Sequence, residues 1–260
     1  MDRAAIAIIV DELSLGQGDL VEGTTWVGGD RGPELLVQRW RRGDSRAAGY
    51  FRQLRGRLAG TGWWPVAVLD GEGLLDVDEN WPYETPDEVL EAARDVDAAA
   101  YFTRKLAWYD DWEGPAYRLS DELPDLGSIP TPASRLSEHG PVGPGSFHST
   151  QVAVVPADEA WKVAAVLAFG VGNSISAAEH TAVARSWFER FGAEIFEYSG
   201  ADIGFVLPRP LPDESTARQV ANEHLAYGGL DLYGARYPLD KLDEVAADLM
   251  RSTEWLFWWD

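Results

Sequence analysis

The sequence predicts an α+β fold, a mostly antiparallel sheet with helices packed on one face. Three observations lead there. Two β-rich segments, 193–198 and 203–207, flank Ser199-Gly200-Ala201-Asp202, a turn of the hairpin kind. Short apolar runs of strand length recur, among them QVAVVP at 151–156 and the closing WLFWWD. Between them stand segments with helix-start signals and apolar residues at spacings of three and four.

Taken in order, residues 3–13 fit a short helix or a strand, because so short an apolar run has no decisive period. Residues 16–32 are rich in glycine and read as loop, and 34–40 (ELLVQRW) as a strand. Ser45 caps a helix from 46 to about 58, with Ala47, Phe51, Leu54 and Leu58 on one face and Gly60 and Gly62 ending it. A buried strand follows at 63–69, with Pro65 near its start. Thr85-Pro86-Asp87-Glu88 opens a helix: threonine caps, proline takes the first helical position, and the glutamate completes a capping box. That helix is expected to run past Ala100 toward Trp108.

Residues 113–150 hold six prolines and five glycines and read as a linker or a crossing segment; a loop packed on one continuous domain fits equally. This divides the chain into an N-terminal α/β region (1–112), the segment 113–150, and an α+β domain (151–260). In the last, 151–156 and 163–169 read as strands. Ser176-Ala177-Ala178-Glu179 opens a helix to Phe191, with His180, Val183, Ala184, Trp187, Phe188 and Phe191 inward and Gly192 as stop. Asp213 caps a helix to Tyr227, broken by Gly228-Gly229, with Ala217, Val220, Ala221, His224 and Leu225 inward. Asp240 opens a third helix to Met250, and 255–260 form a short terminal strand.

Composition narrows the function. The chain of 260 residues has a formal net charge of −21, spread over −9 in 1–112, −3 in 113–150 and −9 in 151–260. Such acidity argues against nucleic-acid binding, which needs cations to meet phosphates, and against adsorption to anionic membranes. It favours solubility and fast encounter with basic partners. Cysteine is absent, which removes disulfides, thiolate metal sites and a cysteine nucleophile. No apolar stretch has the length of a membrane span, and the N-terminal run is too short for a signal peptide, so a cytoplasmic location is expected. The 12 tryptophans read as large core residues. One basic island interrupts the acidity: Arg39, Arg41, Arg42, Arg46, Arg52, Arg55 and Arg57, with Asp44 the only acid among them. It is read as pairing with carboxylates or lying in solvent rather than as an anion site.

The C-terminal pattern resembles the family called domain of unknown function 4253, over about 151–260. The resemblance rests on Val154-Val155-Pro156, Gly172-Asn173, Glu179-His180 followed by Trp187, Phe191, Gly192, Ala193 and Glu194, then Glu223 and Tyr227, and the terminus Phe257-Trp258-Trp259-Asp260. Upstream, Thr61-Gly62-Trp63-Trp64-Pro65 is similar to an element of longer members. Two family positions that carry cysteine differ here, within Gly172-Asn173-Ser174-Ile175 and Tyr227-Gly228-Gly229-Leu230-Asp231, so a site built on those thiols is lost. The resemblance implies a fold and brings no activity with it.

Motifs for common chemistry are missing. There is no HExxH or His-x-His pair for a metal, no G-x-S-x-G elbow and no Walker A loop. Asp76-Val77-Asp78-Glu79-Asn80 lacks the glycine and glutamate of an EF-hand loop. No metal and no cofactor are therefore expected. Of the four histidines, His180 and His224 fall on inward helix stripes, where a hydrogen-bonded core role is the common one. The candidate binding residues are Asn173, Glu179, His180, Glu223, Tyr227 and Asp231 at helix ends and loops, with Trp258 and Trp259 at the terminus. Of the two tryptophans, an edge strand would bury one and leave the other as a partner anchor. Two functions follow as expectations. One is a bacterial immunity-like or antitoxin-like binding module that engages a basic protein. The other is an enzyme of unknown reaction, with Asn173, Glu179, His180, Glu223 and Tyr227 converging in one pocket and a carboxylate beside an imidazole as general base.

Overall fold

A computed structural model of the protein describes residues 2–17, 25–27, 35–39, 47–68, 84–113, 119–124, 151–167, 175–198, 202–229 and 242–259. Its elements in chain order are α1 (Arg3–Gln17), β1 (Thr25–Val27), β2 (Leu35–Arg39), α2 (Ala47–Leu58), β3 (Trp64–Val68), α3 (Pro86–Arg94), α4 (Ala98–Glu113), β4 (Gln151–Val155), α5 (Val163–Val166), α6 (Ala177–Phe191), β5 (Glu194–Tyr198), β6 (Asp202–Val206), α7 (Glu214–Gly228), α8 (Leu242–Leu249) and β7 (Glu254–Trp258). The seven strands form one sheet in the order β1-β2-β4-β3-β5-β6-β7. Every pairing is antiparallel except β3 with β5. The fold is α+β with a mostly antiparallel sheet, as the sequence predicts.

The strand order revises the expected domain division. β4, the first strand after the 113–150 segment, lies between β2 and β3, with Ala153 opposite Val37 on one side and Val66 on the other. Strands from 1–112 and 151–260 thus share their backbone hydrogen bonds, and the two regions form one sheet.

Alternation along the central strands separates two cores. Val66, Val68, Ala153, Val155 and Ile195 face the larger one, built with α4 to α8. Ala67, Val152, Val154 and Phe196 face the smaller one, under Ile6 and Val10 of α1 and Tyr50, Phe51, Leu54 and Leu58 of α2. Helices on one face describes the C-terminal part; α1 and α2 cover the other face.

Local signals act as read. Thr85 and Ser176 both close reciprocal capping boxes, with Glu88 and Glu179. Asp213 caps α7 through the Thr216 amide at 2.9 Å. Gly192 ends α6 in the left-handed region at φ 70°. Four readings change. The ambiguous N-terminal run is helix α1, and a three-residue strand, β1, lies in the glycine-rich stretch read as loop. The helix expected from 86 to 108 is two, α3 and α4. Asp97 interrupts it, its Oδ1 accepting from the Ala99 and Ala100 amides at 2.9 and 3.2 Å and so capping a new start. The run expected as a strand at 163–169 is helical over Val163–Val166, preceded by a 3-10 turn at Ala160–Lys162. Lys162 fixes that turn by reaching back to Asp158 and Glu159 at 2.7 and 3.2 Å, and all four residues of α5 are buried, so the run had no face to betray its period.

Of the basic island, Arg55 pairs with Glu194 and Arg57 with Glu12, the latter at 3.2 Å. Arg41, Arg42 and Arg46 lie outside the described residues. No helix among the described residues is long and apolar enough to cross a membrane.

Candidate functional site

Glu179, His180, Glu223, Tyr227 and Trp259 sit where α6 and α7 face each other across a buried aromatic cluster. The Ser176 capping box fixes the start of α6. Glu179 Oε2 accepts from the Ser176 amide at 3.0 Å, and Oε1 accepts from Arg104 of α4 at 2.9 Å. One residue on, His180 turns inward and is fully buried. Its Nδ1 lies 2.8 Å from the hydroxyl of Tyr227, in the last turn of α7. Trp259, just past β7, packs edge-on against both rings, with centroids 5.4 and 5.2 Å away. The terminal strand and the residue after it thus bury Trp255, Phe257 and Trp259. The structural reading holds for Trp259, and the side chain of Trp258 lies outside the described ones.

Two turns along α6 the chemistry differs. Trp187 is fully buried and its ring contacts Phe102, Phe205, His224, Tyr227, Trp255 and Phe257. Its indole N–H donates to Glu223 Oε2 at 2.9 Å. Arg190 grips the same carboxylate with two nitrogens at 2.8 and 2.9 Å, and Gln219 donates to it at 3.0 Å. Glu223, 5% exposed, is therefore an anchor between α6 and α7 whose oxygens are taken up by four donors. It is not directed at His180, so the expected single pocket does not form around those two. Asn173 and Asp231 lie outside the described residues.

Burial sets the protonation states. It pushes His180 down to about 3, with the Lys105 charge adding to the effect, and His224 also to about 3. The same loss of solvent raises Tyr227 well above the ordinary phenol value, and raises Tyr101. At neutral pH the His180–Tyr227 pair is a neutral imidazole beside a neutral phenol. A base so weak and an acid so weak are both far from the range where proton transfer is efficient. The pair is suited to holding a hydrogen bond.

A third helix reaches this end of the interface. α4 packs against both α6 and α7, and its Tyr101, Lys105 and Tyr109 recur every four residues, so they line one face. Tyr101 is 1% exposed and its hydroxyl has no hydrogen-bond partner among the described residues. Sequence reasoning missed these three. The spacing of four was visible, but nothing in the sequence says that α4 meets α6 and α7.

No group of three or more histidines, aspartates or glutamates placed to hold a metal occurs among the described residues. Comparison with protein families matches residues 151–260 to the domain of unknown function DUF4253, the family the sequence resembles. The matched segment includes α6, α7 and Trp259 but not α4. No match was found among curated proteins or among solved structures.

Proposed function

We propose that the protein is a cytoplasmic, non-catalytic binding module of the immunity-like kind, whose acidic surface engages a basic protein partner. The observation that carries this reading is the engagement of the candidate catalytic groups in structural contacts. Glu179 closes a helix cap, His180 bonds Tyr227, and Glu223 holds Trp187, Arg190 and Gln219. What is left for function is the exterior, with a net charge of −21, which steers a cationic partner at long range. The competing reading, an enzyme of unknown reaction built around Asn173, Glu179, His180, Glu223 and Tyr227, is disfavoured by the separate partners of Glu223 and His180.

Affinity capture from a lysate of the source cell, eluted with a salt gradient, tests the reading. The expected result is one stoichiometric basic protein, released at moderate salt, whose association rate with the purified chain falls steeply as ionic strength rises. An empty eluate, or a partner whose association is indifferent to salt, overturns it.

A further inference from the structure

The α4 stripe carries donors that the fold does not use. The Tyr101 hydroxyl is buried without a partner, and Lys105 forms no ion pair among the described residues. The Lys105 ammonium stands 5.8 Å from the Tyr101 ring centroid. Arg104, its neighbour in sequence, is by contrast tied to Glu179 at 2.9 Å. The stripe grows more open along its length, from buried Tyr101 to half-buried Lys105 and Tyr109. At its far end the Tyr109 hydroxyl comes within 2.9 Å of where a Cβ on Gly229 would stand, so the end of α7 is a residue without a side chain at the point where the phenol arrives. Trp255 Nε1 and Arg55 Nε also lack a partner among the described residues, and neither has such surroundings. Trp255 Nε1 belongs to a ring packed among Trp187, Phe191 and His224, and Arg55 Nε belongs to a side chain already paired with Glu194.

We propose that Tyr101, Lys105 and Tyr109 form a binding site for a small molecule bearing an anionic oxygen group, a carboxylate or a phosphate, with Lys105 as counter-ion and the Tyr101 hydroxyl as the deepest donor. An ammonium and a phenol offer hydrogens, and an anionic oxygen accepts them. Tyr101, like any phenol, is protonated at neutral pH, and burial and the Glu179 charge raise it further, hence a donor. In a chain of net charge −21, a half-buried cation with no carboxylate partner among the described residues is the local feature that would hold an anion. The site joins α4, outside the matched domain, to α7 inside it, and it stands independently of the protein partner proposed above.

The test uses the purified full chain in chloride buffer at fixed ionic strength, titrated calorimetrically with inorganic phosphate in one arm and acetate in the other. Saturable one-to-one binding in either arm is expected, the responding arm identifying the group. Tyr101→Phe, which keeps the ring and removes only the hydroxyl, and Lys105→Gln each weaken binding about tenfold or more. Arg57→Gln, on α2 across the sheet, leaves it unchanged. No saturable binding in either arm overturns the proposal. So does binding of equal strength in wild type and in either α4 variant, which would mean an adventitious ion only.

Discussion

The two ends of the α6–α7 interface are built from different residue types and to opposite effect. At the Trp187 end, an indole, a guanidinium and an amide meet one carboxylate, and donors and acceptors match. At the His180 end, an imidazole and a phenol bond each other, while among the described residues the Tyr101 hydroxyl of α4 has no hydrogen-bond partner and Lys105 no ion pair. A fold gains stability by matching buried polar groups. Where the charged group at one end of an interface is matched and the one at the other end is not, the first is read as structure and the second as the place to look for a ligand.

The sharpest way to break this comparison is Glu223→Ala. It leaves the Trp187 indole and Arg190 without their acceptor, and urea unfolding should show a loss of about 3 kcal/mol, the low end for a buried pair because Arg190 keeps some solvent. A loss below about 1 kcal/mol would mean that this end is not the clamp. Acid comes next. His180 and His224 titrate near 3 when folded and near 6.5 when unfolded. Their folded values are depressed, so the unfolded chain takes up the protons first. Their contribution is present above about pH 6.5 and is lost as pH falls toward 3, by at most about 1.4 kcal/mol per pH unit for each histidine. Measuring stability against pH for His180→Phe and His224→Phe should show each variant less acid-sensitive than wild type. A smaller change for His180 would show that the α4 end admits water. Tyr227→Phe should cost about 1 kcal/mol, the net value of its bond to His180, read from the denaturation midpoint. Tyr101→Phe should have the smallest effect, within about 0.5 kcal/mol of wild type or slightly stabilising, because it removes a donor that bonds nothing among the described residues. A loss near that of Tyr227→Phe would place a partner on the Tyr101 hydroxyl and erase the contrast between the two ends.

What could be read from the sequence was local. Ser176 and Glu179 announce the start of α6, Asp213 that of α7 and Gly192 a helix end, because capping and left-handed turns depend on a few neighbouring residues. The inward placement of His180, Trp187 and His224 followed from helical spacing alone. The apolar run Val163–Val166 was misread because burial on all sides erases periodicity. The role of Glu223 could not be seen, since Arg190 and Trp187 become its partners only when α6 and α7 are brought together. Tyr101, Lys105 and Tyr109 share that difficulty across a longer stretch of chain. Their spacing was in plain view, while the helices they meet begin beyond residue 150.

The position of β4 also orders events in time. Val37 and Val66 both have Ala153 as a neighbour, so β2, paired on its other side with β1, cannot be joined to β3 while only the first half of the chain has left the ribosome. Pairings of such long range form slowly, and strands that lack their partners offer open edges to one another and to other chains. Formation of the sheet is therefore a late step, and the nascent N-terminal half is the stretch most exposed to aggregation or to a chaperone during synthesis.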